Sequence, residues 1–151
     1  MKLIPAKMEH VFAIYELVQE TIKEVYSKYY APGVVEFFCN HHAVQKIIDD
    51  VTNGRTYVVV EDYEVMGTGT IDENHITRVF VKPKHQNKGI GTMIFDTFEK
   101  IIFENFDTIQ LDSSLAAINM YIKRGYKTIC HETTDCENGS ILVYEVMEKK
   151  K

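Results

Sequence analysis

Two rhythms of apolar residues divide this chain. In the first third, Val11, Ile14, Tyr15, Val18, Ile22 and Val25 recur at three- and four-residue steps, which predicts an amphipathic helix. Pro32-Gly33 closes that region, and Phe37, Val44, Ile48 and Val51 predict a second helix stopping near Asn53-Gly54. A short strand over Lys2–Lys7 precedes both. Alternation then takes over. Thr56–Glu61 and Glu64–Ile71 read as strands joined by a tight turn at Asp62-Tyr63, and His75–Val81 completes a meander. Gly67 and Gly69 weaken the middle strand and point to a bulge or a close backbone neighbour. A helix from Gly91 carries Ile94, Phe95, Phe98, Ile101 and Ile102 on one face. A strand at Asp107–Asp112, another helix, and strands at Tyr126–Glu132 and Ile141–Met147 around a polar loop from Thr133 to Ser140 finish the chain. The predicted order is β-α-α-β-β-β-α-β-α-β-β.

The chemistry concentrates between the third strand of the meander and the helix that follows it. Val79-Phe80-Val81-Lys82-Pro83 ends a strand, because proline cannot continue a ladder. Gln86-Asn87-Lys88-Gly89-Ile90-Gly91-Thr92 then turns into a helix start. Such a start presents free N–H groups and partial positive charge, and glycine lets a bulky anion come close. The turn is therefore suited to phosphate. It is not a P-loop, since Lys88 precedes Gly89, and Ile94 breaks the dinucleotide pattern.

Gln-x-x-Gly-x-Gly after Val-x-Pro resembles the acetyl-CoA-binding signature of the GNAT superfamily of N-acetyltransferases. A second stretch supports that resemblance. Ser114, Ala117, Tyr121, Gly125 and Tyr126 fill the five places of the family's downstream pattern. The resemblance runs from about Thr56 to the C-terminus. It implies a single domain over 1–151 with the GNAT fold, an α/β (α+β) architecture with a mixed, mostly antiparallel central sheet and helices on both faces.

The resemblance also implies a set of roles. Phe80 and Val81 would offer free backbone groups to the pantetheine arm, and Gln86, Asn87, Lys88, Gly89, Ile90, Gly91 and Thr92 would hold the pyrophosphate. Lys88 reads equally as a solvated loop lysine. Tyr121 would act as general acid toward the departing thiolate, a phenol being a weak enough acid for that task. Ser114 would bond the cofactor arm or cap the helix; capping is the stronger physical reading. His75, or Glu73 two residues earlier, would help take the proton of the attacking amine; bulk water is the alternative. The segment from Tyr26 to Gly33, followed by Phe37 and Phe38, would wall the acceptor pocket. His41 falls on the apolar side of its helix and reads as an interior histidine. The expected activity is acetyl transfer from acetyl-CoA to a primary amine of a small molecule, or less readily of a peptide. The alternative is a non-catalytic acyl-CoA-binding or regulatory module on the same fold. A generic nucleotide-binding domain would need both motif matches to be chance.

Composition changes this picture only by exclusion. A chain of 151 residues with 45% hydrophobic and 26% charged residues can bury a core. A net charge of −5 argues against nucleic-acid binding. No apolar run is long enough to span a membrane, and no signal peptide is visible, so a cytoplasmic location is expected. Cys39, Cys130 and Cys136 are odd in number and lack Cys-x-x-Cys spacing, so neither a disulfide framework nor a metal is expected. Cys136 falls in the polar loop and reads as exposed. Homodimerisation and the acceptor's identity are left open.

Overall fold

The computed structural model describes residues 1–151. Strand β1 (Lys2–Pro5) leads into α1 (Val11–Val25), α2 (Pro32–His41) and α3 (Val44–Thr52). The meander follows as β2 (Thr56–Glu61), β3 (Glu64–Asp72) and β4 (His75–Val81). Then come α4 (Ile90–Phe103), β5 (Thr108–Ser113), α5 (Ile118–Lys123), β6 (Lys127–Asp135) and β7 (Ile141–Lys150). The seven strands form one sheet in the order β1-β2-β3-β4-β5-β7-β6. Every neighbouring pair is antiparallel except β4 and β5.

Side-chain alternation along the strands builds two cores, one on each face. Met66, Ile76, Ile109, Leu111 and Met147 meet Ile94, Phe95, Phe98 and Ile102 of α4. Val58, Val65 and Phe80 meet Ile14, Leu17, Val18 and Ile22 of α1 and Ile47 of α3. The nearest neighbours of the β3 glycines are side chains of α4 rather than backbone. A Cβ on Gly69 would lie 2.6 Å from the Phe98 ring, and one on Gly67 would lie 2.8 Å from Ile90. The turn at Asp62-Tyr63 has φ of +48° and +65°, the left-handed pair that a two-residue hairpin turn needs.

Several expectations are corrected. The second helix is two helices, so the order begins β-α-α-α. Pro32 does not only end a region; it occupies the first turn of α2, where its missing N–H costs nothing. The chain leaves helical geometry at His42, and Ala43 is extended before α3 begins. Buried Gln19 of α1 stabilises this break by donating its amide to the carbonyls of Cys39 (2.9 Å) and His42 (3.3 Å). Those carbonyls would otherwise be orphaned at a helix end. His42, not the exposed His41, faces inward. Cys136 is buried against Val34 and Leu142, not exposed.

Arg78 of β4 reaches this break. Its Nε–H donates to His42 Nδ1 at 3.1 Å, and its Nη1 sits 2.6 Å from Asp50 of α3. Burial, with the Arg78 cation beside it, pushes His42 from 6.5 down to about 2. The folded state therefore prefers neutral His42. That preference is fully present above pH ~6.5 and is lost progressively as acid charges the unfolded histidine. Unfolding free energy should fall between pH 7 and pH 5, with His42 accounting for on the order of 1–2 kcal/mol of the fall. Denaturant titrations of His42→Gln, which keeps an acceptor for Arg78, should show a flatter slope over that range.

Candidate active site

The sheet is not continuous at its centre. Strands β4 and β5 are paired only at His75 and Gln110, and beyond that point they diverge. A bulge sharpens the divergence. Thr68 opposes Phe80 while Thr70 opposes Thr77, so Gly69 faces both Arg78 and Val79. Arg78 takes φ of +45°, a conformation uncommon for a residue with a side chain. The Asp50 and His42 contacts hold it there.

The register assigns the free edge. The N–H of Lys82 donates to Met66 O at 2.9 Å, so alternate residues of β4 point their backbone at β3. By that alternation Phe80 is committed to Thr68, and Val79 and Val81 face the gap. Phe80 lines the site with its ring, and its backbone groups belong to β3. The Phe80 backbone is therefore not free as expected, while Val81 faces the gap. The Val81 carbonyl accepts from the Gln86 side chain at 3.1 Å, leaving the Val81 N–H toward the opening.

Below the gap the turn folds as a short 3-10 segment over Pro83–His85 and then reverses through Asn87 (φ +60°) and Gly89 (φ +83°) into α4. The N–H groups of Asn87 to Thr92 find no acceptor in the chain, and the first bond at the start of α4 runs from Met93 N–H to Gly89 O at 3.0 Å. A concave run of donors at a helix start is a site for phosphate oxygens. A Cβ on Gly91 would meet nothing nearer than Val81 at 4.0 Å, so this glycine leaves open the space above the turn. Lys88 is exposed and does not line the cavity. Neighbouring Glu64 gathers Lys82, Lys84 and His85, whose contacts hold its carboxyl at about 2.

One cavity of about 1030 Å³ joins these parts. It runs from Gln86–Thr92, along Val79–Val81, to Ser114 and Tyr121, and on to His75 and the rings of α2. Tyr121 is 8% exposed, and its hydroxyl makes no hydrogen bond within the chain. Its ring is fixed edge-on between Phe95 (5.4 Å) and Tyr126 (5.6 Å). Tyr126 in turn donates to Glu99 at 3.0 Å, and Glu99 also takes Arg124 (3.0 Å) and Lys149 (2.8 Å). Burial holds the Tyr121 phenol above its ordinary value, and the nearby Tyr26 raises it further. Tyr26 itself is pushed up to about 12 by burial, with Ser114 partly offsetting it. Ser114 does not cap a helix. It follows β5 directly, and α5 starts four residues later with Ala117 as its cap. His75 lies at the mouth of the gap, exposed, and lines the cavity. Glu73 occupies the β3–β4 turn at φ +54° and does not line it.

Residues 22–150 match a family model described as an acetyltransferase (GNAT) domain. The chain belongs to the GNAT acetyltransferase family. A GCN5-related N-acetyltransferase from Rhodopseudomonas palustris superposes with a TM-score of 0.91 at 20% identity, over 99% of this chain and 95% of that one. PaiA N-acetyltransferase from Thermoplasma acidophilum, solved with coenzyme A, gives 0.77 at 22% identity over 99% and 98%. A ribosomal-protein-alanine N-acetyltransferase from Brucella melitensis gives 0.72 at 13% identity over the whole of both chains. Identities this low show a shared fold. No curated protein matches the chain.

In this GNAT acetyltransferase the sequence reading missed two residues of the cavity wall, Arg78 as the holder of the bulge and Asp112, and it named Tyr26 as wall without its part as a second phenol. Asp112 had a detectable signal. Ile109 and Leu111 turn inward, so Asp112 falls on the opposite face at the end of a strand. Arg78 had none, since nothing in Thr77-Arg78-Val79 announces a left-handed residue. The glycine pair also separates into two kinds. Gly89 needs its positive φ, so any side chain strains it. Gly91 does not, so Gly91→Val should fold normally and lower acetyl-CoA affinity by at least ~10-fold, or about 1.4 kcal/mol. Isothermal titration of the folded variant against the parent measures this.

Proposed function

We propose that this acetyltransferase moves the acetyl group of acetyl-CoA to a primary amine of a small molecule, with Tyr121 as general acid. The divergence of β4 from β5 carries the reading. It turns the backbone of Val79 and the N–H of Val81 toward a cavity that ends at a phosphate-type turn on one side and a buried phenol on the other. These parts fit an extended acyl-CoA. Its phosphates would take the N–H groups of Asn87 to Thr92, and its arm would lie along β4 as an added strand. When bound, acetyl-CoA supplies an activated acyl group on sulfur.

The chain's own residues then have distinct tasks. The Val81 N–H is a fixed donor at the edge of the gap, suited to negative charge developing on a carbonyl oxygen. Tyr121 keeps its proton at neutral pH as any phenol does, and burial disfavours the phenolate further. Its free hydroxyl can therefore donate to a thiolate, and the Phe95 and Tyr126 rings hold it in place. His75 is an imidazole at the solvent end of the cavity, where it can accept the amine proton directly or through water.

Tyr121→Phe keeps the ring and its packing. It should lower kcat by ~10²–10⁴-fold with acetyl-CoA Kd nearly unchanged. Thiol release measured with the best amine of a panel, beside titration of acetyl-CoA, separates the outcomes. A rate within about threefold of the parent at equal affinity would make the phenol structural and favour a binding module. Because the folded Tyr121 titrates above its ordinary value, the parent's kcat should show no alkaline limb below pH ~10 from this group. His75→Ala should remove the acidic limb of the kcat/KM profile, and Glu73→Ala should leave it in place. A profile unchanged in both variants assigns the proton to solvent.

A further inference from the structure

We propose that Asp112 is the ammonium-binding carboxylate of the acceptor site, and that the acceptor is a monoamine with an apolar, preferably aromatic, body. This deepens the transferase reading above and rests on it. Beyond Tyr121 the cavity opens between α2, the head of β4 and the β6–β7 pair. Its apolar wall there is Phe37, Phe38, Leu142 and Tyr144. Asp112 is the only carboxylate among all the residues that line the cavity. It projects from β5 on the face opposite Ile109 and Leu111, and it makes no ion pair.

The surrounding guanidiniums are already committed. Arg78 is tied to Asp50 at 2.6 Å, and Arg124 to Asp96 at 2.8 Å and Glu99 at 3.0 Å. Lys123 lines the cavity from α5 while Asp112 lies on β5, and no ion pair joins them. Burial and nearby cations push His41 and His42 down, so both are neutral at pH 7. The acceptor end therefore presents one uncompensated negative charge beside a set of rings. Burial and the Glu132 carboxylate push the Asp112 carboxyl up while His75 pulls it down, so an added cation would relieve an existing cost.

That balance selects among amines. A polyamine carries several ammonium groups and would leave all but one without a carboxylate in a partly dry cavity. An amino acid carries a carboxylate of its own, and with Arg78 paired to Asp50 no guanidinium is free to meet it. A single ammonium on a hydrophobic body meets one carboxylate and a wall of aromatic faces and edges.

The test is a thiol-release assay with acetyl-CoA and 2-phenylethylamine, spermidine or phenylalanine as acceptor. The expected kcat/KM for 2-phenylethylamine exceeds that of either other amine by at least ~10-fold. In Asp112→Asn its KM should rise at least ~10-fold, while acetyl-CoA Kd stays within about twofold. Asp112→Glu should recover most of the loss. Glu132→Gln, which removes a neighbouring charge that does not line the cavity, should shift KM by less than about threefold. A preference for spermidine or phenylalanine overturns the inference. So does an unchanged KM in Asp112→Asn, or an equal loss in Glu132→Gln. If no amine is acetylated while acetyl-CoA still binds, the transferase reading itself fails. That result is distinct from transfer that ignores Asp112.

Discussion

The conformation of Arg78 is the constraint on which the site depends. A buried guanidinium needs partners, and here they come from elements far apart in sequence: Asp50 on α3 and His42 at the end of α2. Satisfying them pulls the side chain to one face of the sheet and places the backbone in the left-handed region. Two residues of β4 are then set against one of β3. The strand swings away from β5, and the sheet opens. The ion pair that closes the helical layer is thus the device that opens the strand layer. Removing Asp50 would leave the buried Arg78 charge without its counter-ion.

The phenol end is built on the same logic with different parts. Glu99 is a buried carboxylate on α4. Burial alone would push its pKa up, yet Arg124, Lys149 and Tyr126 together hold it below the ordinary value. Each of these partners sits on a segment near the second motif or on β7. The network therefore joins α4 to the C-terminal strands and sets Tyr126, which sets Tyr121. The buried phenol lies at one end of the cavity and the turn of free N–H groups at the other. One helix, α4, serves both: its first turn supplies donors and its third supplies Glu99.

Much of this was legible in the sequence, and the reasons are local. Strand alternation, the tight turn at Asp62-Tyr63 and the glycine turn into α4 are short-range signals, and the strands, turn and helix start appear where they were expected. The split between α2 and α3 did not read, because its cause is tertiary: the Gln19 amide and the Arg78 guanidinium stabilise a non-helical His42. Cys136 read as exposed because its neighbours are polar, yet Val34 and Leu142 cover it. Ser114 read as a cap because serine favours that position, but α5 is short and starts later. Motif matching located the turn and Tyr121. It did not reveal Asp112, since a carboxylate at a strand end acquires meaning only once the gap beside it is known.

The single paired position between β4 and β5 has a mechanical consequence. Backbone hydrogen bonds hold most neighbouring strands at a fixed spacing near 4.8 Å. Across this one junction they do so only at its head, where the Gln110 N–H donates to Asn74 O at 2.9 Å. Two straps set the width beyond it. On one face α4 packs against β3, β4 and β5. On the other, the Tyr30 hydroxyl accepts from Leu115 N–H at 2.8 Å and the Asn138 amide donates to Gly33 O at 2.8 Å. Side-chain packing is soft compared with a hydrogen-bonded ladder. The two halves of the sheet can therefore flex about the His75–Gln110 pair as stiff plates on a hinge, and the slot can adapt to the thickness of what it holds without breaking a strand.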